Sequence, residues 1–295
     1  MTIGFIGLGV MGEPMCRNLL GRASEPVVVH DLRADVVDRL AAEGAVAARS
    51  VAEVVSQAEI TLLSMPGGPE LERVVAGPEG ALSVLAEGQM LVDHTTAPLD
   101  VTRDLAARCG ELGADYCDAP IARTRQAAAD GTLSIMVGGT RTAFERARPV
   151  LSLMATDITH CGGVGSGQIT KLLNNMMLFQ NVRAIAEAHA IASGLAELHG
   201  DELGLDVPTV FDVIADASGG SFALRNHGMK AILPDEYPTQ AFSTVYAQKD
   251  LGYALDLAAA VGVDAVGART VGELLEATRR AGFEHEYFPV LRRLL

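Results

Sequence analysis

The sequence predicts an α/β domain with a doubly wound parallel sheet, followed by an all-α C-terminal domain joined to it by a long helix. Three observations predict this. Short apolar runs alternate with helical patterns through the first 160 residues, a glycine-rich turn follows the first of those runs, and from about Gly167 onward only helical segments remain.

In order, "IGFIGL" (3–8), "PVVVHD" (26–31), "ITLLSM" (60–65), "MLVDHT" (90–95), "DYCDAP" (115–120) and "LSIMVGG" (133–139) read as strands. Stretches between them, such as "RADVVDRLAAEG" and "DVTRDLAARCGELG", place apolar residues at helical spacing. Strand and helix in alternation build a parallel sheet. "QITKLLNNMMLFQNVRAIAEAHAIAS" then runs from Gln168 to Ser193 without Gly or Pro. A helix that is apolar on most faces has to be covered by other protein. Helical segments follow at 207–216, 221–231, about 241–261 and 264–281.

The bulk numbers exclude several classes. A formal net charge of -14 leaves no basic stripe to neutralise phosphates, which argues against nucleic acid as a partner. No signal-peptide pattern and no apolar run near 18 residues is present, so the chain is expected to be cytoplasmic with no membrane partner. Cys16, Cys109, Cys117 and Cys161 have no metal-ligand spacing, and neither do the seven histidines. No metal is expected, the thiols are expected to be reduced, and His94 is read as structural.

The turn "GFIGLGVMGEPMCRNLL" sets Gly7, Gly9 and Gly12 in G-x-G-x-x-G, directly after a strand and opening a helix. Gly7 permits the tight turn, Gly9 lets a pyrophosphate approach the backbone, and Gly12 lets helix and strand pack closely. The helix N-terminus then offers free N–H groups to phosphates, and Val10 and Met11 belong to the same cofactor-binding turn. This is the fingerprint of a Rossmann domain. Asp31, nineteen residues after Gly12, ends the second strand, where a carboxylate hydrogen-bonds the adenosine ribose diol and repels a 2′-phosphate. That favours NAD. Arg33, two residues on, could partner a 2′-phosphate, so NADP stays open. "SMPGGPE" (64–70), with Met65 and Pro66, follows the third strand and would border the cofactor.

The G-L-G-x-M-G turn, "MPG", "DHTT", "DAPI…GTLSIMVGG", "GSGQITKLLNN" and "QKDLGYAL" occur in that order and spacing. Together they resemble the β-hydroxyacid dehydrogenases, the family of 3-hydroxyisobutyrate dehydrogenase and tartronate semialdehyde reductase. The resemblance covers nearly the whole chain. It implies hydride transfer between a nicotinamide cofactor and a small acid bearing a hydroxyl or a carbonyl, in a homodimer or homotetramer. The expected division is a dinucleotide-binding domain over 1–163, a connecting helix over 164–193 and a helical substrate and oligomerisation domain over 194–295. The resemblance also implies Lys171 as catalytic residue, Asn175 as substrate-positioning residue, and Thr96 and Lys249 beside the cofactor.

One segment departs from the family. After D-A-P the common pattern is Val-Ser-Gly-Gly, whereas here Ala122, Arg123 and Thr124 take the serine and glycine positions. This version is similar to the G-R-T loop of sulfolactaldehyde reductases, which implies a sulfonate or another anion in place of a plain carboxylate. Thr124 suits an N-cap for a short helix "RQAAAD" ending near Gly131. Arg123, just before that cap, would face the anion as a bidentate donor. Arg125 joins it if the loop is extended and turns away if the helix starts there.

Lys171 and Asn175 are four residues apart, hence on one helix face. As ammonium, Lys171 would hydrogen-bond the carbonyl oxygen that gains charge and deliver the proton; in oxidation the neutral amine takes the hydroxyl proton. Two relatives of the architecture fit less well. A decarboxylating 6-phosphogluconate-type enzyme has K-x-x-H-N, where this chain has Asn174, and imine reductases usually lack the lysine. A non-catalytic dinucleotide-binding module is the third alternative, and loss of the lysine is its expected mark.

Overall fold

The computed structural model describes residues 1–295, apart from the side chains of residues 200 and 201. The chain divides into two compact units, Met1–Lys171 and Leu172–Leu295. In the first, the elements are β1 (Ile3–Ile6), α1 (Gly12–Arg22), β2 (Val27–His30), α2 (Ala34–Ala42), β3 (Val46–Ala47), α3 (Val51–Gln57), β4 (Ile60–Leu63), α4 (Gly68–Ala76), β5 (Met90–Asp93), α5 (Leu99–Glu111), β6 (Asp115–Asp118), β7 (Ile121–Ala122), α6 (Arg125–Asp130), β8 (Leu133–Gly138), α7 (Arg141–Leu151) and β9 (Ala155–Gly162).

The strands form one sheet in the order β3-β2-β1-β4-β5-β6-β8-β7, with β9 also paired to β8. From β3 to β6 every pairing is parallel. Side chains alternate between the faces, as a pleated strand requires. Ile3, Phe5, Val29 and Leu62 pack with Met15, Leu19, Leu40 and Phe144. Ile6, Val28, Leu63 and Leu91 pack with Val54, Leu71 and Leu105 on the other side. Both faces are covered, which is why these strands read as unbroken apolar runs.

The sheet departs from the expected parallel pattern beyond β6. There β8 runs antiparallel to both β6 and β7, while β9 runs parallel to β8. The reversal is made through the short helix α6 between β7 and β8, because antiparallel strands do not require the long crossover of a parallel pair. Three cysteines, Cys16, Cys109 and Cys117, are buried in this unit, where desolvation pushes each thiol up to about 12; Cys161, on β9, is half-buried.

Helix α8 (Ser166–Leu203) follows, helical except at His199, whose backbone leaves the helical region (φ -133°, ψ 18°). The second unit continues with α9 (Val207–Asp216), a π-helical stretch over Leu224–Ile232, α10 (Thr244–Ala260), α11 (Val266–Arg280) and a 3₁₀ segment over Phe288–Leu294. The helical segment expected at 221–231 is thus π-helical from Leu224 onward. The core of this unit gathers Phe179 and Val182 of α8, Leu251 of α10, Val271 and Leu275 of α11 and Phe288. The Phe179 and Phe288 rings meet edge to face at 5.2 Å. No helix among the described residues is long and apolar enough to cross a membrane.

Candidate active site

The three glycines of the first turn differ in what surrounds them. Gly7 holds φ +92°, and a Cβ there would run into the Ser64 carbonyl and the Met65 side chain. A Cβ on Gly12 would strike the Gly7 carbonyl, whereas one on Gly9 would meet nothing within 4 Å. Gly7 and Gly12 therefore close the packing, and Gly9 faces the open space that a pyrophosphate needs. Val10 is exposed and Met11 half-buried as the chain enters α1. The residues present fit a dinucleotide.

Asp31 stands beside this turn. Its Oδ2 accepts from the Leu8 N–H at 2.6 Å and its Oδ1 from the Arg33 N–H at 2.9 Å. The Arg33 guanidinium folds back, donating to the Leu8 carbonyl at 2.6 Å and lying 3.4 Å from Asp31 Oδ1. Arg33, at the start of α2, is exposed and engaged with the acid it follows. On the next strand connection, the Met65 N–H donates to Thr95 Oγ1 at 3.0 Å; Pro66 is exposed and Thr96 half-buried.

Below Thr95 lies a buried polar network that carries the start of α8. Asp93, fully buried, accepts from the Thr95 N–H at 2.9 Å through Oδ1 and from the Tyr116 hydroxyl at 3.0 Å through Oδ2. Asp118, equally buried, accepts from the N–H groups of Gly165 (2.7 Å) and Gln168 (2.8 Å), which are otherwise orphan donors at a helix start. The Gln168 side chain completes the joint: it donates to the Thr95 carbonyl at 2.6 Å and accepts from the Ala97 N–H at 3.2 Å. His94 is buried, holds the Ala119 carbonyl through Nδ1 at 2.7 Å, and is pushed by desolvation to about 4, so it is neutral.

Asp93 makes a prediction about pH. Burial pushes its carboxyl up to about 7, above the usual value near 3.9 that holds in the unfolded chain. A raised folded value adds stability that is complete below pH ~4 and is lost as pH rises through ~7. Asp93→Asn, whose amide can donate to a reoriented Tyr116 hydroxyl, is expected to flatten that slope. Urea unfolding at pH 4.5 and 7.5 should show the wild type losing about 2–4 kcal/mol that the variant keeps. Equal slopes would mean that Asp93 is ionised throughout.

Lys171 is half-buried one turn beyond Gly167, and Asn175 stands one turn further along α8. Asn175 is buried, and its amide has a fixed orientation. Its Nδ2 donates to Asp250 Oδ2 at 2.8 Å, and its Oδ1 accepts from the Asn174 amide at 3.1 Å. The Lys249 ammonium lies 2.9 Å from Asp250 Oδ1, as an ion pair rather than a directed hydrogen bond, and 5.1 Å from the Tyr253 ring centre.

The turn after β7 holds the residues expected at the substrate's anionic end. Thr124 caps α6, with Oγ1 accepting from the Ala127 N–H at 3.4 Å, and Gly131 ends the helix in the left-handed region. Arg125 is the first helical residue, and Ala122 pairs with Ser134 of β8. The Arg123 guanidinium, expected to face an anion, is engaged by protein in this structure: one nitrogen donates to the Thr132 carbonyl (2.6 Å) and Thr156 Oγ1 (3.0 Å), the other to Asp157 Oδ2 (2.5 Å). The reason is the sequence-distant strand β9, which brings a carboxylate to the arginine. Asp93, Asp118, Asp157 and Gln168 were not singled out as site residues. Asp93, Asp118 and Gln168 lie inside recognised motifs, yet nothing local signals that they meet.

A glycine turn with room at Gly9 and an acid at the end of β2 fit the class of dinucleotide-binding chains. Residues 2–163 match the family described as "NAD binding domain of 6-phosphogluconate dehydrogenase". Residues 165–294 match that described as "NAD-binding of NADP-dependent 3-hydroxyisobutyrate dehydrogenase". The chain is 34% identical to 2-(hydroxymethyl)glutarate dehydrogenase of Eubacterium barkeri, covering 97% of this chain and 92% of that one. It is also 34% identical to 2-hydroxy-3-oxopropionate reductase of Escherichia coli, over 96% and 92% of the two chains. Among solved structures, the 3-hydroxyisobutyrate dehydrogenase of Mycobacterium tuberculosis with L-serine superposes with a TM-score of 0.86 at 32% identity, covering 99% of this chain and 98% of that one. The chain belongs to the β-hydroxyacid dehydrogenase family, oxidoreductases that act on CH–OH with a nicotinamide cofactor.

Proposed function

We propose that this chain is an NAD-dependent dehydrogenase that interconverts the hydroxyl and carbonyl of a small acid, a semialdehyde or oxo acid in the oxidised form, with Lys171 as general acid and base. The observation that carries the reading is the pairing on α8 of Lys171 with an Asn175 whose amide is held by Asp250. The relatives are named for acids of different size, and a hydroxy or oxo acid is what those names share.

The bound nicotinamide supplies or accepts the hydride. Lys171 donates to the carbonyl oxygen as negative charge grows on it and passes its proton there; in the reverse direction the amine takes the hydroxyl proton. Asn175, unable to rotate, keeps the reacting oxygen in line. Gly7, Gly9, Val10, Met11 and Gly12 take the pyrophosphate and Asp31 the ribose diol, with Met65, Pro66, Thr96 and Lys249 along the nicotinamide half. The turn Ala122–Arg125, with Arg123 and Thr124 at its centre, borders the acid's anionic end. Exposed Leu173, Met177, Ile191 and Leu195 on α8 favour a homodimer or homotetramer.

Initial rates of NADH oxidation test this, using matched three-carbon carbonyl compounds that end in carboxylate, sulfonate or phosphonate. The carboxylate is expected to be preferred, because the Arg123 guanidinium already has a carboxylate partner. A tenfold advantage in kcat/KM for a sulfonate or phosphonate would return that guanidinium to the anion. NADH is expected to outperform NADPH by about tenfold or more, since Asp31 repels a 2′-phosphate and Arg33 is turned onto Asp31 and Leu8.

A further inference from the structure

Among the described residues, two other than glycine hold a positive φ: Arg123 at 84° and Asp235 at 56°. Aspartate tolerates that region because its short side chain bonds locally, whereas an arginine there has to be held by its surroundings. Arg123 is held from outside its own turn. Its three contacts reach Thr132, where the chain leaves α6 for β8, and Thr156 and Asp157 on β9. Thr156 Oγ1 also donates to the same Asp157 oxygen at 3.0 Å, and these two donors keep the Asp157 carboxyl below its ordinary value. One side chain thus ties the entry of α6 to its exit and to the edge strand.

We propose that Arg123 is a clasp: its guanidinium, anchored on Thr132, Thr156 and Asp157, holds the β7–α6 turn in a conformation glycine would take unaided. Its effect on the substrate then comes through the shape of the turn and not through a bond to the anion. This rests on the reading above that the turn borders the substrate. The clasp itself does not require that reading, so the two can fail separately.

Three variants decide it. Arg123→Gly removes the clasp together with the need for it, Arg123→Ala removes only the clasp, and Asp157→Ala removes the anchor while leaving the guanidinium. The expected result is a KM for the acid raised roughly tenfold in Arg123→Ala and Asp157→Ala and only about threefold in Arg123→Gly, with the KM for NADH unchanged. A guanidinium that holds the anion itself gives a different pattern: the Gly and Ala variants lose equally, and Asp157→Ala, which frees the guanidinium, lowers KM. Either of those results, or no change in any variant, overturns the clasp. Amide hydrogen exchange over 121–127 needs no substrate and is expected to be about tenfold faster in Asp157→Ala. Unchanged exchange overturns the clasp even if every compound tried proves inert, whereas inertness with faster exchange sinks only the functional reading.

Discussion

Lys171→Met should lower kcat by a factor of about 10²–10⁴ while NADH binding, read by fluorescence titration, stays as it was. Methionine keeps the length and most of the volume of the side chain but can neither donate to a growing oxyanion nor move a proton. Every kilocalorie that the ammonium contributes in the transition state is therefore lost from the chemical step and not from cofactor affinity. A kcat within threefold of wild type would mean that another group carries the proton. Asn175→Ala provides a comparison, since it removes an orienting amide and leaves the acid in place; its loss should be smaller and shared between kcat and KM.

The second large effect is expected in stability. Asp118→Ala should cost about 2–5 kcal/mol, seen as a lower midpoint in urea unfolding, because it orphans two buried N–H groups, those of Gly165 and Gln168. Little room exists for rescue. A Cβ on Gly138 or Gly167 would already press on the Asp118 carboxylate. Asp118→Asn should be milder in stability, since one carbonyl oxygen remains to accept. Its amide nitrogen still faces an N–H, so kcat should fall along with it as the first turn of α8, which leads to Lys171, shifts. Full stability in the alanine variant would show that the turn is held by its packing alone.

How much of this could be read from the sequence follows the range of the interactions. The parallel strands were legible because burial on both faces leaves runs such as "ITLL" (60–63), which need no partner to be recognised. The glycine turn and the place of Asp31 just after β2 were legible because they depend on a local spacing, whereas the roles proposed for Lys171 and Asn175 come from the family resemblance. Strand β9 was not legible, because an edge strand with only Ala155 buried, "ATDITHCG" (155–162), carries no apolar run. The antiparallel direction of β8 rests on one matched residue with β6, Asp118 with Gly138, and two with β7, which no periodicity encodes. Arg123 illustrates the same limit. Its charge and its place before a cap were visible, and the carboxylate 34 residues away that engages it was not. The π-helical stretch at 224–232 contains the same residue types an α-helix would, so composition cannot tell them apart.

The cysteines of the first unit have a practical consequence. Three of the four sulfurs are sealed in the sheet's packing with their thiols pushed up to about 12, so almost none of each exists as the thiolate that alkylating reagents attack at neutral pH. That leaves Cys161, on the strand that also supplies Asp157, as the one accessible handle. A single fluorophore or spin label can thus be attached with no cysteine engineered away, four residues from the anchor of the Arg123 contact, turning the native chain into its own reporter of β9.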